Sequence, residues 1–145
     1  MIEDIVSEAI RIEQQVSKLV DQFWYEQIQS GYSEDKPAFR SLMLRARSKI
    51  TKDGKNLSLT VEWSQQTVRS GKHQFLHIRK TDGHYDLRTL RSKAGSEAEW
   101  QRVQRYEKAL RHLRDQWTDL QKMRMHYQRI QKSRKQFDAT NLVSG

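Results

Sequence analysis

Apolar residues in the first thirty positions recur at alternating spacings of three and four, which is the pattern of an amphipathic helix. The stripe consists of Ile2, Ile5, Ala9, Ile12, Val16, Leu19 and Phe23. Val6, Val20 and Trp24 widen it beyond a narrow two-helix seam. Gly31 stands where a left-handed C-cap would end the helix. The pattern predicts one long helix over residues 1–31 that packs on more than one partner.

After Pro37 the apolar period changes to two, which is typical of strands with one buried face. Four such segments follow, beginning at Leu42, Leu57, Phe75 and Tyr85. Hairpin-turn sequences separate them, namely Asp53-Gly54, Ser70-Gly71 and Asp82-Gly83. The segments predict a four-stranded antiparallel meander over residues 40–90. Val68 falls out of phase with the odd-numbered apolar residues, which predicts a bulge or break in the second strand.

A second helix is predicted over residues 96–137. Ser96 and Glu99 match the capping box, and the next proline or glycine is Gly145. The apolar stripe runs through Trp100, Val103, Tyr106, Leu110, Leu113, Trp117 and Leu120, and then shifts phase to Met123, Tyr127, Ile130 and Phe137. At about 1.5 Å per residue such a helix is about 60 Å long, so part of it must contact the first helix or another subunit.

Together these elements predict an α+β fold in one domain, residues 1–145, with a frayed tail over 138–145. Both helices are expected to pack on one face of the sheet and partly on each other. The heptad-like stripes are also compatible with a dimeric coiled coil, but antiparallel packing of the two terminal helices within one chain is favoured because it needs no partner. Monomer and homodimer both stay open.

Charge is strongly segregated along the chain, whose formal net charge is +9. Residues 1–35 carry −6, residues 36–95 carry +10 and residues 96–145 carry +5. There is no cysteine, which excludes disulfides and thiolate sites, and no apolar run approaches the length of a membrane span. The acidic start is not a secretory signal. A cytoplasmic protein without a membrane partner is therefore expected.

Strand alternation predicts a basic open face on the sheet. The residues expected there are Arg45, Arg47, Ser58, Thr60, Phe75, His77, Arg79 and Arg88. Arginines with an aromatic ring suit phosphate pairing, bidentate base contacts and base stacking. A merely solvated face would also be polar. However, only Glu62 and Asp86 oppose the cations, and this imbalance favours binding.

The predicted nucleic-acid contacts extend this face to the hairpin tips and to nearby cations. The full set is Arg45, Arg47, Lys49, Lys52, Lys55, Arg69, Lys72, Phe75, His77, Arg79, Lys80, Arg88, Arg91 and Lys93. A late-helix cluster would add secondary phosphate contacts, or alternatively would only favour the helix C-terminus. That cluster consists of Arg129, Lys132, Arg134 and Lys135.

Catalytic chemistry finds no support in the sequence. The basic region offers only Asp53, Glu62, Asp82 and Asp86 to a metal nuclease, without a familiar spacing. His73 and His77 are four apart on a predicted strand, which is not the spacing of helical metal ligands. No P-loop, Rossmann fingerprint, nucleophile elbow or HExxH motif occurs. We expect no enzyme activity, no cofactor and no metal.

Over roughly residues 20–120 the order of several short motifs resembles MobI-like proteins of conjugative elements. The motifs are Phe23-Trp24, Leu44-Arg45-Ala46-Arg47, Val61-Glu62-Trp63, His77-Ile78-Arg79-Lys80, Tyr85, Trp100, Glu107 and Arg114. The resemblance implies an auxiliary mobilisation protein that helps recognise an origin of transfer and supports initiation by a relaxase. By position, it places Arg45, Arg47, His77, Arg79 and Lys80 in the shared core of that family.

Three functional hypotheses follow from these observations. The first is a non-catalytic DNA-binding accessory protein, with duplex favoured over single-stranded DNA and a relaxase as a second partner. The second is a protein-interaction adaptor whose long helix and basic surface engage an acidic partner. The third is RNA or single-strand binding, which requires Phe75 and a neighbouring strand aromatic to be exposed and able to stack.

Overall fold

The computed structural model describes residues 1–31 and 38–140 and has an α+β architecture. Its elements are α1 (Ile2–Gln29), β1 (Ala38–Ile50), β2 (Leu57–Arg69), β3 (Lys72–His77), α2 (Leu87–Lys93) and α3 (Glu97–Thr140). The strands form one antiparallel sheet in the order β1-β2-β3, and the helices pack on it. The predicted fold class is confirmed, but the prediction of four strands is wrong, since the described residues contain three.

The β1–β2 hairpin is regular along its whole length. Pairing runs without interruption from Ala38 opposite Arg69 to Ile50 opposite Leu57. The predicted bulge near Val68 is therefore wrong: alternation simply continues, and Val68 points to the opposite face from Trp63. At the β2–β3 turn, φ is positive at both Ser70 (51°) and Gly71 (77°), as a two-residue hairpin turn requires.

The segment predicted as a fourth strand forms α2 instead. Asp86 is its N-cap, and the carboxylate accepts hydrogen bonds from the backbone N–H groups of Arg88 (2.8 Å) and Thr89 (3.1 Å). The Asp82-Gly83 turn does form, with positive φ at both residues, but only Thr81 and His84 pair across it. An aspartate that satisfies two free amides starts a helix here and prevents a second strand from following the turn.

Tyr85 occupies the place where the missing strand would have met β2. Because β3 pairs with β2 only from Ser64 onward, the N–H of Trp63 has no strand partner on that side, and it donates to the Tyr85 hydroxyl at 3.0 Å. Tyr85 is buried, and this burial raises the pKa of its phenol to about 12. The Tyr85 side chain thus satisfies the Trp63 N–H at the strand edge that the shorter β3 leaves open.

The raised pKa of Tyr85 predicts a loss of stability at alkaline pH. The folded state holds the phenolic proton more tightly than an ordinary tyrosine of pKa 10.0, so stability falls as pH rises from about 10 to about 12. Urea unfolding across this window should show a smaller decline for Tyr85→Phe than for the unchanged protein. Equal declines would contradict the assignment of this titration to Tyr85.

The two long helices pack antiparallel, as predicted. Arg11 near the start of α1 donates to Gln116 at 2.8 Å, whereas Glu26 near its end accepts from Arg105 at 3.0 Å. The α3 stripe from Trp100 to Leu120 is buried against α1 and the sheet. At about 1.5 Å per residue the 44 residues of α3 span about 66 Å. Its last turns, residues 128–140, project past α1, and we call them the α3 tail. Ile130 and Phe137 in this tail are exposed.

Two fully or nearly buried carboxylates of α3 join the helix layer to the sheet. Glu107 accepts hydrogen bonds from Trp63 Nε1 (2.9 Å) and Arg114 Nη1 (2.8 Å), and pairs with Arg111 (3.2 Å). Arg114 also reaches the backbone oxygen of Val61. The guanidinium and the carboxylate therefore neutralise each other beneath β2, where an unpaired charge would be costly.

Glu99 forms the second buried carboxylate site, between α3, β1 and the end of α1. Its oxygens accept from the backbone N–H groups of Leu42 (2.9 Å) and Gly95 (3.0 Å), and from the side chains of Ser41 (2.5 Å) and Gln27 (3.1 Å). Half of the predicted capping box is confirmed, because the N–H of Glu99 donates to Ser96 Oγ at 3.1 Å. The carboxylate itself turns to the sheet and not back to Ser96.

Candidate nucleic-acid interface

The sheet presents one exposed basic surface on the side opposite the helices. Leu44 and Trp63 point to the buried core, so the alternate residues of β1 and β2 point away from it. We call this surface the open face, and it consists of Arg45, Arg47, Lys49, Ser58, Thr60, Glu62, Ser64, Phe75 and His77.

A shallow cavity of about 360 Å³ lies in the middle of the open face. It is lined by Arg45, Arg47, Glu62, Ser64, Phe75 and His77. In the strand register Arg45 lies opposite Glu62 on β1 and β2, and Ser64 lies opposite His77 on β2 and β3. The cavity thus takes side chains from all three strands.

Four of the predicted contact residues meet at this cavity: Arg45, Arg47, Phe75 and His77. Lys49 continues the β1 row towards the β1–β2 hairpin, and Lys52 and Lys55 are exposed in the hairpin loop. Arg79 is exposed two residues beyond the end of β3. Strand parity, which is visible in the sequence, groups Arg45 with Arg47 and Phe75 with His77, and the sheet register brings the two pairs to one face.

Other predicted contacts lie away from the cavity. The placement of Arg88 on the sheet face is wrong because Arg88 belongs to α2, as do Arg91 and Lys93. α2 packs on α3 and β1, and Arg91 pairs with Glu97 at 3.5 Å and lies 6.0 Å from the Trp100 ring. A contact role for these three residues stays a prediction, without the sheet to support it.

Lys80, Lys72 and Arg69 are also separated from the cavity centre. Lys80 is half-buried 5.6 Å from the Tyr85 ring, and burial and then the neighbouring Arg114 lower the pKa of its ammonium group. Lys72 begins β3 at the end of the sheet opposite the β1–β2 hairpin, and the backbone of Arg69 pairs with it there. Only some of the cations in the middle third of the chain therefore lie on the open face.

The hairpin cations and the predicted secondary cluster share one end of the molecule. Gln121 donates to the backbone oxygen of Leu57 at 2.6 Å, and Arg124 donates to that of Lys55 at 2.7 Å. These bonds fix α3 beside the β1–β2 hairpin just before the α3 tail begins. The tail carries the exposed cations Arg129, Lys132, Arg134 and Lys135.

The acidic first helix lies on the far side of the sheet from the open face. Trp24 of α1 donates to the backbone oxygen of Leu44 at 2.8 Å, and Phe23 packs edge-on against Trp63. Two of the α1 carboxylates pair with arginines in the helix layer, Glu8 with Arg11 and Glu26 with Arg105. The helix therefore does not neutralise the cations of the open face.

Sequence reasoning did not include Glu62 and Ser64 among the site residues, although both line the cavity. Their even numbering on β2 placed them on the same face as Thr60, so parity could have found them. Within residues 1–31 and 38–140, no three His, Cys, Asp or Glu side chains are grouped so that they could hold a metal ion. Nor does any helix in those ranges have the length and apolar character to cross a membrane.

Comparison with known proteins adds one positive finding. The sequence model of the MobI protein family matches residues 12–128, which is most of the chain. Neither the curated proteins nor the solved structures contain a match. The matched range includes α1 from its third turn, the whole sheet, α2 and α3 up to the start of its tail. The chain therefore belongs to the MobI family, a family of accessory proteins in mobilisation.

Proposed function

We infer that this protein is a non-catalytic DNA-binding accessory factor that recognises an origin of transfer and assists a relaxase in conjugative mobilisation. The observation that carries this proposal is the convergence of Arg45, Arg47, His77 and Phe75 on one cavity of a sheet face that the helices leave uncovered. Family membership supports the mobilisation role. The proposal includes a cytoplasmic location.

The two arginines are free to contact a ligand. Among the described residues, Arg45 and Arg47 take part in no ion pair, and both side chains are exposed. Arginine pairs bidentately with phosphate and with the O6 and N7 atoms of guanine.

A basic path leads from the cavity to the end of the molecule. It follows Arg45, Arg47 and Lys49 along β1, passes Lys52 and Lys55 in the hairpin loop, and reaches the cations of the α3 tail. Alternate residues of a strand are about 6.6–6.8 Å apart, so the β1 row alone spans about 13 Å. A path of this kind suits a duplex backbone, with the tail cations as secondary phosphate contacts.

Fluorescence anisotropy with duplex DNA tests the proposal. The logarithm of the dissociation constant should rise linearly with the logarithm of salt concentration, since binding releases counterions from phosphates. Replacing Arg45, Arg47 and Arg79 together by Glu should weaken binding by about a hundredfold or more. Three cations of the helix layer, Arg11, Lys18 and Arg105, provide a matched control with the same change in net charge.

The control separates a specific surface from general charge. Reversal of Arg11, Lys18 and Arg105 should weaken binding by less than about tenfold, because these residues lie on α1 and α3 away from the open face. Equal losses in the two triple variants would remove the open face from the proposal. Absence of duplex binding at low salt would refute DNA binding altogether.

A protein-interaction role is the second candidate, and the α3 tail favours it. Ile130 and Phe137 are exposed on a helix end that projects past α1, which is typical of a surface that another protein covers. Pull-down of a relaxase after nuclease treatment, with the unchanged protein and with Ile130→Ser/Phe137→Ser, distinguishes direct contact from a DNA bridge. Loss of capture on nuclease treatment would leave DNA as the only link.

A further inference from the structure

The cavity on the open face contains groups that a phosphate-binding surface does not need. Phe75 is 58% exposed and lines the cavity together with the cations, and Glu62, another lining residue, is the register partner of Arg45. A carboxylate repels phosphate, and an exposed phenyl ring offers it nothing. The combination instead suits a flat aromatic ligand that carries both hydrogen-bond donors and acceptors.

The geometry provides space for such a ligand. Neighbouring strands are about 4.8 Å apart, so β1 and β3 lie about 10 Å apart across the sheet with β2 between them. Arg45 and Arg47 border the cavity from β1, and Phe75 and His77 border it from β3. The two pairs lie diagonally across β2, because the arginines are in register with Glu62 and Thr60, and the β3 residues with Gln66 and Ser64. The volume of about 360 Å³ lies within the range of cavities that hold small organic molecules.

Among the nucleobases, guanine matches these groups best. Its Watson–Crick edge presents the adjacent N1–H and N2–H donors, which a carboxylate such as Glu62 can accept together. Its O6 and N7 acceptors are the preferred partners of an arginine such as Arg45 or Arg47. Its ring can stack on Phe75, as bases do on aromatic side chains in single-strand-binding proteins. Adenine, cytosine and thymine lack the paired donors.

A guanine can reach this cavity only when it is unpaired, because its Watson–Crick edge and both ring faces are hidden inside a duplex. We propose that the cavity of the open face binds one unpaired or extruded guanine, which stacks on Phe75 and is read by Glu62 and the β1 arginines, while the surrounding cations hold the flanking duplex. This inference rests on the proposed DNA-binding function and specifies the ligand of the same surface. A captured base would keep a short stretch of duplex open for a strand-cleaving partner.

Anisotropy with four otherwise identical DNA duplexes tests the inference on the full chain. One duplex is fully paired, and the others carry a single bulged guanine, adenine or thymine at the same position. The bulged-guanine duplex should bind about tenfold more tightly than the paired duplex and several-fold more tightly than the bulged-adenine duplex. A 2-aminopurine placed next to the bulge reports whether the stack opens on binding.

Two single variants separate stacking from base reading. Phe75→Ala should abolish the preference for any bulge. Glu62→Gln should reduce the preference for guanine over adenine, part of which the β1 arginines provide, and keep the preference for a bulge. Tyr25→Ala, which removes an exposed ring from α1, and Asp119→Asn, which removes an exposed carboxylate from α3, are the matched controls. Both controls should leave all the preferences unchanged. Circular dichroism verifies that each variant folds.

The outcomes distinguish this inference from the function on which it rests. Equal affinity for paired and bulged duplexes would overturn the base cavity and leave duplex binding intact. An undiminished guanine preference in both Phe75→Ala and Glu62→Gln would likewise overturn it. Failure of the unchanged protein to bind any of the four DNAs would refute the DNA-binding proposal and the base cavity together.

Discussion

Glu107→Ala is expected to lower the free energy of unfolding by about 3–5 kcal/mol, since it removes one partner of a buried ion pair. Glu107 has no exposed surface, and its carboxylate lies 2.8 Å from Arg114 Nη1. Without it, the Arg114 guanidinium and the Trp63 indole N–H stay buried with no carboxylate acceptor. Urea unfolding followed by circular dichroism measures the change.

The control for this prediction is Asp119→Ala, which removes an exposed carboxylate from the same helix. It should change the unfolding free energy by no more than about 0.5 kcal/mol. A cost below about 1 kcal/mol for Glu107→Ala would show that the contacts with Arg114 and Trp63 contribute little to stability. DNA affinity at low temperature should change little in either variant, because neither residue lies on the open face.

Glu99→Ala should have the second largest effect, also about 3–5 kcal/mol. The buried carboxylate is the acceptor for the N–H groups of Leu42 and Gly95 and for the side chains of Ser41 and Gln27. Buried donors that lose their acceptor cost about 1–3 kcal/mol each, and water can replace only some of these bonds. Urea unfolding again gives the magnitude.

Hydrogen exchange adds a local measurement to this second prediction. The amide of Leu42 should lose protection in Glu99→Ala, because its hydrogen bond to the carboxylate is removed. Glu97→Ala is the matched control, since the pair between Glu97 and Arg91 is exposed on both sides and such pairs contribute little. Unchanged protection at Leu42 would argue that Glu99 does not connect α3 to β1.

The residues that carry the family resemblance are mostly structural in this fold. Trp63, Tyr85, Glu107 and Arg114 form one connected set: Tyr85 accepts from the Trp63 N–H, and Glu107 accepts from the Trp63 indole and Arg114. Phe23 packs edge-on against the Trp63 ring. Most of these motif residues therefore belong to the structural framework. Four resemblance residues line the exposed cavity instead, namely Arg45, Arg47, Glu62 and His77.

Periodicity and turn chemistry determined most of the architecture. Apolar residues at spacings of three and four predicted α1 and α3, and the Ser70-Gly71 sequence predicted the β2–β3 hairpin turn. Both signals depend on local backbone geometry. The same reasoning failed between Tyr85 and Arg88. There an alternating pattern of four residues is short enough to fit a strand or a capped helix, and the N-cap bonds of Asp86 favoured the helix.

The sequence by itself determined that Arg45 and Arg47 share a face and that Phe75 and His77 share a face, because side chains alternate along a strand. Only the tertiary structure decided that these two pairs border one cavity, since the register of β2 against both neighbours sets which residues stand side by side. It also decided that Glu99 and Glu107 are buried acceptors. Two of their donors, Leu42 and Trp63, are distant in the chain and meet these carboxylates only when α3 packs on the sheet.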